Sequence, residues 1–177
     1  EDDRTAAAIF RMRAARMARD YQAVFGALAA EYDVVIVAGS IVLPEPRVEH
    51  GELIAGDGPL YNISAVFQRD GSIDPQLVRK SHPIPSETPF TTAWPADRLP
   101  VFETPMGRLA VLICADSWHP DLYASARALD ADIIAVPAFL QPSGVWDQPW
   151  GGYTTGGPEA AARSNAGRPP RARPRDR

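Results

Sequence analysis

Val111-Leu112-Ile113-Cys114-Ala115-Asp116-Ser117-Trp118 reads as a buried strand that hands over to a helix, with a cysteine at the junction. The apolar run begins near Arg108. Beyond it Pro120 suits an early helix position and Ser117 a cap, and the helix is expected to run to about Leu129. Asp132 to Pro137 is then a second apolar strand, so residues 108–137 predict a βαβ unit. Val101–Thr104 pairs with the first of these strands as a hairpin around Pro105-Met106-Gly107.

Upstream, residues 5–30 predict one long amphipathic helix. Ile9, Met17, Tyr21, Val24, Phe25 and Leu28 recur at three-to-four spacing, and Asp2 and Asp3 favour its N-terminus. Val34-Val35-Ile36-Val37-Ala38-Gly39-Ser40 reads as a strand covered on both faces. The region of Pro44, Pro46, Gly51, Gly56 and Gly58 reads as a loop. Tyr61–Gln68 and Leu77–Lys80 are two strands joined by the Asp70-Gly71 turn. Residues 81–100, with five prolines and no periodicity, form a long irregular connection of the kind that carries function.

The 177 residues suffice for a domain with a real core, and 45% apolar with 23% charged residues is ordinary for a globular protein. No apolar run is long enough to span a bilayer, which argues against a membrane role. The net charge of −4 hides an asymmetry: residues 163–177 carry six arginines against Asp176 alone. The rest of the chain is strongly acidic, which speaks against nucleic acid as a partner. Residues 156–177 are expected to be a disordered Pro/Arg-rich tail, a candidate frame-change artefact. One cysteine allows no internal disulfide, no Cys/His group has zinc-site spacing, and the default location is a reducing cytoplasm.

That cysteine, Cys114, and the one lysine, Lys80 in Arg79-Lys80-Ser81-His82, stand out in a chain whose other basic residues are all arginines. A thiol nucleophile and an ammonium that stabilises an oxyanion suit acyl-transfer chemistry. Backbone N–H groups at a helix start favour an anionic sulfur, although position alone also fits a buried structural cysteine. A Cys–His dyad with His82 or His119 is the weaker arrangement, because His119 follows Cys114 too closely and His82 belongs to the lysine motif.

Residues 20–155 resemble the nitrilase superfamily of carbon–nitrogen hydrolases. Val37-Ala38-Gly39-Ser40, Tyr61-Asn62, Arg79-Lys80-Ser81-His82, Thr104-Pro105-Met106-Gly107-Arg108, Cys114-Ala115-Asp116-Ser117-Trp118 and Ala131-Asp132-Ile133-Ile134-Ala135-Val136-Pro137 stand in the family's order. The resemblance implies an α/β (in some schemes α+β) four-layer α-β-β-α sandwich, incomplete here, with residues 1–155 as a partial domain. It implies hydrolysis of a non-peptide C–N bond in a small amide, less readily a nitrile, without a metal or organic cofactor. Cys114 would be the nucleophile, Lys80 the oxyanion stabiliser and Glu87 the second glutamate that orients the lysine. Trp118 and Phe139, with Trp146 and Trp150, would line the acyl pocket, and the intact protein would be a homo-oligomer.

The departure concerns the general base. The family's base glutamate follows a strand that precedes the long helix, which begins here almost at residue 1. Glu45 follows the Val34–Ser40 strand instead and is too close to Lys80, and Glu1 has no strand before it. The expectation is therefore a central fragment of a hydrolase, lacking the base and showing little or no activity. A non-catalytic binding scaffold, and an acyltransferase or glutaminase using the same triad, are the alternatives.

Overall fold

The computed structural model describes residues 3–139. Helix α1 (Arg4–Tyr32) starts where the Asp3 side chain accepts hydrogen bonds from the Thr5 and Ala6 N–H groups at 3.1 and 2.9 Å. Its packed face is the expected one only in part: Tyr21 is buried, with Met17 and Phe25 packed against the same core. Ala7, Ala14, Ala18, Tyr21, Gly26 and Ala29 are buried, whereas Ile9 and Val24 are each 54% exposed. Small side chains win because the helix lies close on its support. A Cβ on Gly26 would come within 2.9 Å of the Gly71 carbonyl oxygen, so helix and turn meet backbone to backbone.

The 34–40 run is not one strand. β1 (Ile36–Val37) pairs antiparallel with β6 (Val66–Phe67), and β2 (Ile41–Pro44) pairs antiparallel with β5 (Leu60–Ser64). The proline- and glycine-rich segment read as loop contributes β2 and a small hairpin, β3 (Arg47–Glu49) with β4 (Glu52–Ile54). β7 (Val78–Arg79) pairs with β5 as the hairpin reading expects.

Both breaks, at Ala38–Ser40 and at Ala65, are closed by buried polar groups. Ala38 N–H donates to the Ala65 carbonyl, and Ser64 Oγ donates to that of Ala38. The Tyr21 hydroxyl donates to the Gly39 carbonyl at 2.8 Å and accepts from Ala65 N–H at 3.2 Å. Burial pushes the Tyr21 pKa up to about 12. Tyr21→Phe therefore leaves two backbone groups without their partner and is expected to cost about 1–3 kcal/mol in urea unfolding. The raised pKa sets the sign of a second effect. Stability from the phenol is complete below its ordinary value of 10.0 and falls as pH rises through about 12. The Phe variant should lack that alkaline loss.

β8 (Val101–Thr104) and β9 (Gly107–Val111) form the expected hairpin, and β10 (Ile133–Ala135) runs parallel to β9 after α2 (Pro120–Ala128), completing the βαβ unit. Alternation along β9 and its extension defines the layers. Leu109, Val111 and Ile113 pack with Val66, Val78 and Phe102 between the two sets of strands. Ala110 and Leu112 face Leu122 and Ala126 of α2. On the other side Ile63, Ala65 and Phe67 pack against Ala14, Ala18 and Tyr21 of α1. The sequence of layers is thus α1, strands, strands, α2, an incomplete α-β-β-α sandwich. The tail expected at 156–177 lies outside the described residues.

Candidate active site

β7 delivers the lysine. Lys80 N–H donates to the Asn62 carbonyl at 2.8 Å, extending the pairing with β5. Strand alternation sends Arg79 and Lys80 to opposite sides. The Arg79 guanidinium lies 4.5 Å from the centroid of the Trp94 ring and donates to the Pro46 carbonyl at 2.6 Å. Lys80 turns inward and is 2% exposed, with Nζ 2.6 Å from Glu87 Oε2.

Glu87 sits in a turn within the long connection, where its N–H and that of Thr88 both donate to the Ile84 carbonyl. Its carboxylate is held on both oxygens. Oε2 also accepts from Ile84 N–H at 2.9 Å, and Oε1 accepts from Asn62 Nδ2 at 2.8 Å. Asn62 is a site residue that sequence reasoning missed. Its place in the Tyr61-Asn62 pair, one strand away from the lysine, was the available signal.

Cys114 extends the pairing of β9 with the β10 side: its N–H donates to the Pro137 carbonyl at 3.0 Å. There the chain turns sharply. Cys114 has φ +52°, a left-handed conformation unusual for a residue with a Cβ. Strain of this kind costs on the order of 1–3 kcal/mol and gathers at functional positions. The thiol is half-buried at the head of a 3-10 turn, Cys114–Trp118, and not at the start of the α-helix itself. Ser117 does not cap α2: its Oγ donates to the Cys114 carbonyl at 2.8 Å, and His119 holds the cap position.

Asp116 joins the two motifs. It is 2% exposed and accepts from Ile113 N–H at 3.2 Å on its own turn. It also accepts from Ser81 N–H at 3.1 Å and His82 N–H at 2.8 Å, immediately after the lysine. Burial raises its pKa above the ordinary carboxylate range, opposed by hydrogen bonds from the His82 and Ile113 N–H groups and by the nearby charges of His82 and Lys80. The segments carrying Lys80 and Cys114 are therefore pinned by one carboxylate, a second residue that sequence reasoning left without a role.

The remaining expected residues are less closely drawn in. Trp118 is half-buried in the 3-10 turn, Phe139 is 81% exposed, and Trp146 and Trp150 lie outside the described residues. Glu45 stands over the 56–58 turn, where a Cβ on Gly58 would come within 2.8 Å of its carboxylate. His82 turns its ring to Asp121, with Nε2 3.0 Å from Oδ2, and stacks on His119.

The sequence pattern of the Carbon-nitrogen hydrolase family matches residues 11–156. "Probable hydrolase YhcX" of Bacillus subtilis is 35% identical over 118 residues, which is 67% of this chain and 20% of that protein. "Deaminated glutathione amidase" of Yersinia enterocolitica is 45% identical over 47 residues, 27% of this chain and 16% of the relative. Among solved structures, a carbon-nitrogen hydrolase from Helicobacter pylori superposes with a TM-score of 0.61 at 22% identity, over 83% of this chain and 46% of that one. An amidase from Nesterenkonia sp. superposes at 0.59 and 18% identity, over 75% of this chain and 46% of that one. The chain thus spans less than half of each of these relatives. The family pattern and the shared fold agree, and the chain belongs to the carbon-nitrogen hydrolase family.

Proposed function

We propose that this chain is the part of an amide-cleaving hydrolase that carries its nucleophile and its oxyanion-stabilising lysine. The observation behind this reading is a buried Lys80–Glu87 pair tied through Asp116 to a half-buried cysteine in a left-handed turn. In the proposed reaction the Cys114 sulfur attacks the amide carbon, and Lys80 stabilises the oxygen as it becomes anionic. The C–N bond breaks, the amine leaves with a proton, and water releases the acid from the thioester. Support for a nucleophilic cysteine comes from the Nesterenkonia amidase, a variant structure of which shows covalent addition of the acetamide moiety of fluoroacetamide at the active site cysteine.

Glu87 holds the lysine in this reading, a positioning role supported by the donors Lys80 Nζ, Ile84 N–H and Asn62 Nδ2 on its two oxygens, and the base that takes the thiol proton is another group. The base is a glutamate that none of the residues assigned above supplies, so the 177-residue chain is proposed to turn over amides slowly or not at all. In the complete protein, Cys114→Ala should abolish turnover of a simple aliphatic amide. Lys80→Ala should lower kcat by about 10²–10³, the loss typical of one oxyanion donor. Unchanged turnover in either variant rules the reading out, and product analysis with a competing amine separates hydrolysis from acyl transfer. A homo-oligomer formed through α1 belongs to the same proposal, supported by the exposure of Ile9, Met12 and Val24 on that helix.

A further inference from the structure

Zinc-site spacing in the sequence looks for ligands that are near one another along the chain, and none occurs. The fold supplies such a group from two distant segments. His82 follows the lysine, and His119 and Asp121 flank the start of α2, with His82 and Asp121 separated by 39 residues. One donor atom from each of the three lies within 4.8 Å of the others. The imidazole rings stack with centroids 3.6 Å apart and planes within 9°. His82 Nε2 meets both Asp121 oxygens, at 3.1 and 3.0 Å.

We propose that His82, His119 and Asp121 form a binding site for a divalent transition metal of the zinc type, outside the acyl-transfer chemistry. Two imidazole nitrogens and one carboxylate are a donor set that zinc accepts, leaving a fourth position for water. Two ligands at zinc bond lengths are at most about 4 Å apart across the ion, so binding draws the three side chains together by small rotations. Asp121 is half exposed, which gives the ion a route in. The bound metal would bridge the segment after Lys80 to α2, in parallel with the Asp116 contacts.

The site does not depend on the amidase reading and is tested without turnover. The 177-residue chain would be titrated with zinc chloride by calorimetry and with cobalt(II) by absorption. The expected result is one equivalent bound, with ligand-field bands and no thiolate-to-cobalt band, retained in Cys114→Ser, lost in His119→Ala and weakened in Asp121→Asn. Nitrogen-15 spectra of the unsubstituted protein read the same question independently of any variant's folding. Zinc should shift two of the three histidines, His82 and His119, and leave His50 in place. Absence of binding, binding that follows Cys114, or a shift confined to His50 would overturn the proposal.

Discussion

Glu87→Ala is expected to destabilise the fold by about 3–5 kcal/mol, the usual consequence of removing one partner of a buried ion pair. Lys80 is 2% exposed, and Glu87 is the carboxylate it meets among the described residues. Without Glu87 the ammonium must stay buried unpaired or lose its proton, and Asn62 Nδ2 and Ile84 N–H lose their acceptor as well. Urea unfolding measures the loss directly. The double variant Lys80→Met with Glu87→Leu separates stability from chemistry. Replacing both charges with apolar groups of similar size should recover part of the stability, because the desolvation of the pair disappears with it while Asn62 Nδ2 and Ile84 N–H still lack their acceptor. Activity of the complete protein should not return, since no cation is left for the oxyanion. A loss below about 1 kcal/mol for Glu87→Ala, the level of an exposed pair, would contradict the buried arrangement.

Asp116→Ala is expected to be comparably severe. Three backbone N–H groups, those of Ser81, His82 and Ile113, point at one buried carboxylate. Each buried donor left without an acceptor costs about 1–3 kcal/mol, less than additively when one group serves all three. Asp116→Asn should be milder, because one oxygen remains while the amide nitrogen faces donors on the other side. The pH dependence carries the opposite sign from an ordinary paired carboxylate. Burial raises the folded pKa of Asp116, so its contribution is complete below 3.8 and declines as pH rises through the folded value. The Asn variant should lack that decline, so its deficit against the natural protein should be largest in acid. In the complete protein either variant should also slow acylation of Cys114 beyond what the loss of folded protein explains. Unchanged acylation in folded Asp116→Asn would show that the carboxylate serves stability alone.

The elements most legible in the sequence are those whose signals are local. The apolar runs on either side of the Ser117–Pro120 segment, with a proline at the first helical position, specify β9, α2 and β10 through period and backbone preference. The long helix was legible as an element but only in part in its packed face, where Tyr21, Met17 and Phe25 pack as expected and Ile9 and Val24 do not. Periodicity ranks residues by hydrophobicity, whereas the approach of Gly26 to Gly71 selects for small side chains. The run from Val34 to Ser40 misled for a related reason. Hydrophobic content suggested a run covered on both faces, but only Ala38 is buried and Val34 is 44% exposed, and the Tyr21 hydroxyl and the Ser64 Oγ decide where its hydrogen bonds go.

The site divides along the same line. A single lysine, a single cysteine and the motifs around them were enough, by themselves, to mark the family and to nominate the residues of the proposed chemistry. The sequence also placed a glutamate within one turn-rich connection of the lysine. Only the tertiary structure decided that Asn62 and Ile84 hold that glutamate, that Asp116 joins the two motifs, and that His82 meets His119 and Asp121. These contacts join residues far apart in the chain, and no local pattern records them. They come from packing the two sets of strands face to face, which brings the end of β7 to the turn after β9.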